Sequence, residues 1–308
     1  MALVVFGGVT YRLLLDASSL MYRAFFSIPA TVVAPDGRPI NAVHGYLDMA
    51  SNLISSRKPD ECAHVYDDDW RPAPRVAVYA GYKAARRPDP EGLPAQFEML
   101  QELLGAMGFP QAEAPGWEAE DAIGTLCAQA ATDDRADIVT GDRDLIQLVR
   151  DPAVRVLFTV KGVSELRVLD EAGVQERFGV PASRYVEFAI LRGDPSDGLP
   201  GVQGVGEKTA RSLVNEYPSL DALIADAEAP RRTGRLLQRS PGLCGKLRGA
   251  VDYLAAMREV VPIRRDLALR TWRSDRDDEL ADELTARYRL GGPLGRLRRA
   301  LEGLPAPA

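Results

Sequence analysis

The sequence predicts an α/β fold: a central, parallel-rich, twisted sheet flanked by helices, with a helical region after it. Two observations carry this. Through the first half, short β-rich runs alternate with longer segments of helical periodicity, the pattern of strands joined by crossover helices. From about residue 175 the strand-like runs stop, and helical patterns separated by Gly- and Pro-rich turns take over. At 308 residues the chain can build one large domain or two ordinary ones. The expected division is a core over 1–174 and a helical region over 175–308, whose last helices pack on the core.

In order along the chain, Tyr11-Arg12-Leu13-Leu14-Leu15 reads as the first strand. Ser18 is the expected N-cap of a helix through Leu20, Tyr22 and Phe25. A helix over about Ala42–Ser55 follows, then a strand at Ala63–Tyr66. Pro94–Met107 places Phe97, Leu100, Leu103 and Leu104 at helical spacing, with Gly108 to stop it. The helix after Trp117 turns Ile123, Leu126 and Cys127 inward. Asp137–Thr140 is a strand, Leu145–Val149 begins a helix, and 154–158 with 166–169 suit an edge hairpin. Gly303–Ala308 is expected to fray.

Composition narrows the chemistry. No apolar run approaches a membrane span, and the Met1–Phe6 opening lacks the features of an export signal. A cytoplasmic protein is therefore expected, and nothing suggests an obligate assembly, so a monomer is expected too. Cys62, Cys127 and Cys244 are widely spaced and odd in number, which indicates neither a disulfide framework nor a zinc site. Only His44 and His64 are present, which argues against a His-rich metal centre or a Ser-His-Asp triad. The net charge of −6 hides local asymmetry. Arg71, Arg75, Lys83, Arg86 and Arg87 fall between Trp70 and Pro88 without an acid. Arg231, Arg232, Arg235, Arg239, Lys246 and Arg248 form a second acid-free run.

The most telling residues are nine acids at strand ends and helix starts: Asp16, Asp67, Glu118, Glu120, Asp121, Asp142, Asp144, Asp194 and Asp197. Ligands of open parallel sheets bind outside the carboxyl ends of the strands. Asp16, Asp67 and Asp142 each follow a strand, so three strands aim a carboxylate at one rim. Gathering all nine would create severe repulsion unless hard cations such as Mg²⁺ or Mn²⁺ sat among them. An isolated Asp after a strand is commonly a cap or turn residue, and acids also favour helix N-termini. On a continuous helix Glu118 and Asp121 share a face and Glu120 points away; all three converge only if the first two lie in the loop or first turn.

Gly193–Ala210 is the most specific segment. Its second half, Gly201-Val202-Gln203-Gly204-Val205-Gly206, is a Gly-rich hairpin leading into a helix near Glu207. Such a turn brings backbone N–H groups to a phosphate at a helix N-terminus, and Lys208 and Arg211 add charge. It lacks the spacing of an ATP-binding loop and matches a helix-hairpin-helix that grips a DNA backbone without reading sequence.

Over roughly residues 11–270 the chain resembles the bacterial and phage 5′-nuclease family, which includes the 5′-nuclease domain of DNA polymerase I and stand-alone relatives akin to flap endonucleases. The likeness rests on Leu15–Ser19 with Tyr22-Arg23, on Tyr66-Asp67 with Arg75 and Tyr82–Arg86, on Glu118–Thr125, on Thr140–Asp144 and on Gly193–Ala210. Two departures stand out: Glu120 where bacterial members usually carry Asp, and Gly198 where they carry Asn.

The resemblance implies two or three Mg²⁺ or Mn²⁺ ions. Asp16, Asp67, Glu118 and Glu120 would surround one; Asp142, Asp144 and Asp194 would hold a second, with Glu120 shared; Asp121 and Asp197 would act through water or a further ion. It implies a helical arch over about 70–95 with Lys83 and Arg87 at the scissile phosphate and Arg71 and Arg75 beside them. Tyr22 and Arg23 join the active-site set, and Tyr22, His44 and Tyr46 are candidates for stacking on unpaired bases. Gly201, Gly204, Val205, Gly206, Lys208, Thr209, Arg211, Arg235, Arg239 and Lys246 would bind duplex DNA, with K⁺ a further candidate at the hairpin. Expected substrates are DNA with a 5′ flap, nick, gap or 5′ overhang, and RNA–DNA hybrids, giving 5′-phosphate and 3′-hydroxyl products. The rival assignments are an inert DNA-junction binder and a PIN-type ribonuclease; the full acid set opposes the first and the hairpin the second.

Overall fold

The computed structural model describes residues 11–304. The opening Met1–Phe6 and the last four residues of the tail lie outside them. Five strands build the parallel part of one sheet: β1 (Tyr11–Asp16), β2 (Glu61–Tyr66), β3 (Gln111–Glu113), β4 (Arg135–Thr140) and β5 (Val154–Lys161). Antiparallel edges close it, with β6 (Glu165–Leu169) on β5 and β7 (Arg270–Trp272) on β3. The order is β6-β5-β4-β1-β2-β3-β7. From β1 the chain therefore goes to β2 on one side and, later, to β4 on the other. That reversal opens a crevice at the carboxyl ends of β1, β2 and β4.

Both faces of the sheet are buried, and the period-2 alternation divides each strand between two cores. Leu14, Ala63, Val65, Ile138 and Val156 enter one core. Leu13, Leu15, Cys62, Tyr66, Val139 and Leu157 enter the other. The second core is roofed by α1 (Ala17–Ser27), α2 (Asn41–Arg57) and α4 (Leu93–Ala106). The first is covered by α5 (Ala119–Gln129) and by a helical body. That body runs through α6 (Glu171–Phe178), α7 (Tyr185–Arg192), α8 (Glu207–Glu216), α9 (Leu220–Glu228), α10 (Arg235–Arg239), α11 (Pro241–Gly249) and α12 (Val251–Val260). After β7 the chain returns to the second core, where Leu284 of α13 (Asp278–Tyr288) and Leu297 of α14 (Gly291–Glu302) are fully buried. Among the described residues no helix is long and apolar enough to cross a membrane.

Several local expectations change. Asp16, not Ser18, caps α1, because the helix starts directly after the strand and the Asp16 carboxylate accepts from Ser19 N at 3.0 Å. Ser18 is left to accept from Asp67 N at 3.0 Å through its hydroxyl. Leu145–Val149 does not begin an α-helix; residues Asp144–Leu148 form one 3₁₀ segment that ends as the chain turns toward β5. Strands β3 and β7, of three residues each, add two strands to those in the sequence pattern. Between Trp70 and Pro90 the only helix is α3 (Ala73–Val78); turns follow it, and the segment lies against the acidic rim.

Candidate active site

At the carboxyl ends of β1, β2 and β4 lies a cavity of about 440 Å³ lined by Asp16, Asp67, Glu118, Glu120, Asp142 and Asp194, and also by Tyr22, Lys83 and Arg86. Short-range geometry fixes each acid. Thr140 donates to Asp16 Oδ2 at 2.6 Å and itself accepts from Asp142 N at 2.8 Å, which ties β1 to the turn after β4. Asp142 Oδ1 accepts from Asp144 N at 2.9 Å, so this i, i+2 pair is built on a turn and points one way. Asp67 Oδ1 accepts from Ala119 N at 2.7 Å, joining β2 to the first turn of α5.

The Glu118-Ala119-Glu120-Asp121 run resolves as the sequence required for convergence. Glu118 is the N-cap, Glu120 and Asp121 sit in the first turn, and all three are buried. Oxygens of Glu118, Glu120 and Asp121 come within 4.8 Å of one another, and those of Glu120, Asp142 and Asp144 do the same. Glu120 is common to both groups.

Electrostatics show how unfavourable this gathering is for the bare chain. Burial, then the neighbouring Asp67, pushes Asp16 up to about 7. Burial raises Asp197 to about 6 even though Lys83 opposes the shift. Burial, with Asp142 and Asp197 nearby, raises Asp144 far above the carboxylate range, and burial raises Glu120 likewise. Such sites favour a proton, or a cation in its place, over bare paired charges. An all-oxygen donor set with this excess of negative charge suits hard divalent ions.

Two basic side chains already serve the cluster. Arg75 is 3 % exposed. Its guanidinium reaches Glu118 at 2.6 Å, Asp121 at 2.8 and 2.9 Å, and Glu120 at 3.1 Å, and it donates to the carbonyl of Val260 at 3.0 Å. The expectation that Arg75 meets a phosphate is therefore corrected: enclosed by three carboxylates, it has no face left for DNA. Asp121 is consumed in the same way, since Arg264 N also donates to its Oδ1 at 2.8 Å. Lys83 bonds Glu118 and lies 3.7 Å from Asp197, and Tyr82 donates to Glu118 at 2.5 Å. Burial works against the Lys83 charge, but Glu118 and then Asp197 outweigh it, so the ammonium is held protonated.

The remaining candidates separate. Arg71 donates to the carbonyls of Tyr82 and Ala80 at 2.8 and 2.9 Å, so it shapes its own loop instead of lying free beside Lys83. Arg87 is exposed. Arg23 donates to Thr159 O at 3.2 Å and flanks Gly141, which lines the cavity. Tyr22 lines the cavity and donates to Asp89. Tyr46 is not a base-stacking residue: it is 1 % exposed and bonds the His64 ring at 2.6 Å. His44 faces Asp48 at 3.7 Å, beside Arg296 of α14.

The hairpin has left-handed backbone at Gly201 and Gly204, with φ of 68° and 72°. Val205 is buried and anchors the turn, while Gly206 N-caps α8 without a side-chain partner and is exposed. Lys208 is exposed, and the Lys246 amino group lies directly against Gly204. Arg235 and Arg239 are exposed on α10, and Thr209 is half-buried. Arg211 lays its stem on Gly179 and approaches Glu207 at 3.4 Å.

Residues 11–179 match the 5′-3′ exonuclease N-terminal resolvase-like domain, and residues 180–279 match the 5′-3′ exonuclease C-terminal SAM fold. The chain belongs to the 5′-3′ exonuclease family. It is 41 % identical over 320 residues to a 5′-3′ exonuclease of Mycobacterium tuberculosis, covering 95 % of this chain and 98 % of the relative. A 5′-3′ exonuclease of Streptomyces coelicolor is 42 % identical over 306 residues, with 94 % and 99 % covered. DNA polymerase I of Mycobacterium bovis is 39 % identical over 281 residues, but only 30 % of its length is spanned, against 89 % of this chain. Among solved structures, the T5 D15 protein co-crystallised with metal ions superimposes with a TM-score of 0.61 at 16 % identity, covering 95 % of this chain and 98 % of that one. Human GEN1 in complex with Holliday junction DNA gives 0.63 at 17 %, covering 96 % and 73 %. These two likenesses concern the fold.

Three residues of this 5′-3′ exonuclease family member, named in the sequence only within longer stretches and given no role there, enter the site. Arg86 reaches over the Tyr22 and Trp70 rings, at 5.8 and 5.4 Å, and lines the cavity. Tyr82 and Thr140 orient Glu118 and Asp16. Arg86 and Tyr82 lay within the Tyr82–Arg86 stretch, and Thr140 beside Asp142, but nothing in a linear pattern distinguishes a side chain that supports an acid from one that packs.

Proposed function

We propose that the chain is a structure-selective 5′-nuclease that hydrolyses DNA phosphodiesters with divalent metal ions. The observation that carries this is the meeting of carboxylates from β1, from the residue after β2, from the start of α5, from the turn after β4 and from Asp194 in one cavity that Lys83 and Arg86 also line. Asp16, Asp67, Glu118 and Glu120 would hold one ion, and Asp142, Asp144 and Asp194 a second, with Glu120 shared and Asp197 acting through water. Mg²⁺ and Mn²⁺ are the ions that this donor set favours. Such ions supply Lewis acidity and neutralise charge developing on the phosphodiester.

The chain's own groups divide the remaining work. Lys83 and Arg86 face the cavity and would hold the scissile phosphate. Arg75 keeps Glu118 and Asp121 in place. Tyr22, which lines the cavity, offers an aromatic face to an unpaired base. The Gly201–Gly206 turn with Lys208, Thr209 and Lys246 would grip one strand of duplex through phosphates, with K⁺ as the ion at the hairpin, and Arg211, Arg235 and Arg239 would extend that track. Substrates would be DNA with a 5′ flap, nick, gap or 5′ overhang, and RNA–DNA hybrids, acted on by a monomer in the cytoplasm.

A labelled 5′-flap duplex tests this directly. Cleavage near the junction with Mg²⁺ or Mn²⁺, and none with EDTA, is expected. Metal-independent binding without product, or cleavage of single-stranded RNA alone, would refute the proposal.

A further inference from the structure

One side chain of α12 touches both the hairpin and the turn that carries Lys83. Tyr253, the only aromatic residue on that helix, is half-buried. Its hydroxyl accepts from Gly201 N at 3.0 Å and donates to the carbonyl of Ile190 at 3.4 Å. Gly201 opens the hairpin, and a Cβ there would run into the backbone of Arg192 and Gly193. The hairpin therefore starts tightly packed, with its first N–H aimed at Tyr253. The Tyr253 ring also meets Tyr79 edge-on, with centroids 6.3 Å apart and planes at 81°. Tyr79 follows directly on α3; its carbonyl accepts from Tyr82 N at 3.0 Å, and its ring packs over Gly81. Tyr82 and Lys83 then reach Glu118. A second link between turn and hairpin, from Lys83 N to Asp197 O at 2.8 Å, is made by backbone alone.

We infer that Tyr253 is a positioning residue: it fixes the spacing between the duplex grip at Gly201–Gly206 and the turn that presents Lys83, and so sets which phosphodiester lies among the acids. This rests on the proposed nuclease reading of the site and deepens it. Contacts to phosphates fix register without reading bases. The place of the cut is then decided by the distance between two sets of such contacts, one at the hairpin and one at Lys83 and Arg86. Successive phosphates of one strand lie about 3.4 Å apart along the helix axis. A slip of that size between hairpin and turn brings the neighbouring bond to the acids. Loss of the Tyr253 hydroxyl takes its acceptor from the Gly201 N–H, and loss of the ring removes the Tyr79 contact as well. The backbone link from Lys83 to Asp197 survives both changes, so a loosened register is expected and not a lost site.

Tyr253→Phe keeps the ring on Tyr79 and removes the bond to Gly201, whereas Tyr253→Leu removes both. Tyr11→Phe is the control: it also deletes a tyrosine hydroxyl bond, to Asp137 at 2.8 Å, but at the start of β1, the opposite end from Asp16. A labelled 5′-flap duplex is cut under single-turnover conditions with Mg²⁺, and the products are resolved to the nucleotide. Gel-shift binding in EDTA is measured beside it. Wild type and Tyr11→Phe are expected to give one dominant product. Tyr253→Phe should move at least about a fifth of the product to neighbouring bonds. Tyr253→Leu should move more and cleave about 10-fold more slowly, since displacing reacting groups by about 1 Å can cost on the order of 100-fold. Affinity for the flap duplex should stay within about threefold throughout, because the phosphate contacts of the hairpin remain. A wild-type product pattern in Tyr253→Leu overturns the inference whatever the rate or affinity does, since the side chain then only stabilises the fold. If Tyr253→Leu does not fold, a wild-type pattern in Tyr253→Phe overturns it. No product from wild type would instead overturn the nuclease reading itself.

Discussion

Replacing Arg75 with Met is expected to damage the fold before it damages DNA contact. The guanidinium is the shared partner of Glu118, Glu120 and Asp121, and Asp121 is wholly buried. Removing one partner of a buried ion pair costs about 3–5 kcal/mol, because the other charge is left uncompensated. Met keeps most of the stem's packing, so about 4 kcal/mol is the expected loss, or roughly 10 °C in melting temperature for a chain of this size. The loss should depend on pH with a definite sign. Burial already raises Glu120 and Asp121, with Arg75 holding them down, and without Arg75 they rise further. A carboxylate whose folded pKa is raised contributes stability below its unfolded value and loses it as pH climbs through the folded value. The deficit of Arg75→Met should therefore be small near pH 5 and largest near pH 8. Urea unfolding in EDTA at both pH values measures it. A variant within about 1 kcal/mol of wild type at pH 8, or an equal deficit at both, would refute Arg75 as the internal counter-ion.

Asp142→Ala should reduce cleavage by several orders of magnitude while flap-duplex binding in a gel shift stays within about threefold; lost binding with intact turnover would reverse the assignment. Lys246→Ala, which removes the ammonium lying against the hairpin, should weaken binding of all duplex sequences alike and lower the salt slope by about one. Metal-free wild type should lose stability with rising pH, because Asp197 near 6 and Asp16 near 7 both lie above their ordinary 3.8. Their contribution is complete below about pH 4 and is lost as pH passes through 6 to 7. Excess Mg²⁺ should flatten that dependence in the same urea titration.

The elements that deliver the acids were legible because they obey local rules. Leu13, Leu14 and Leu15 alternate between two cores and end on Asp16, and the same grammar places Asp67 and Asp142. Strands β3 and β7 were not legible, because three-residue strands carry almost no pattern and β7 gains its partner only through tertiary return of the chain. The basic run from Arg71 to Arg87 misled for a related reason. Arg75, Lys83 and Arg71 look alike in sequence, yet one neutralises buried carboxylates, one reaches from a turn to Glu118, and one ties backbone carbonyls. Burial and partner choice decided these roles, and neither is written in linear spacing. Asp121 likewise directs its carboxylate to Arg75 and the Arg264 N–H.

The most direct measurement is the position of Mn²⁺ by anomalous scattering from crystals soaked in the ion. Peaks are expected between the carboxylates of Asp16, Asp67 and Glu120 and between those of Glu120, Asp142 and Asp144. Ions found only on scattered surface acids, with that cavity left vacant at saturating Mn²⁺, would contradict the metal-dependent reading.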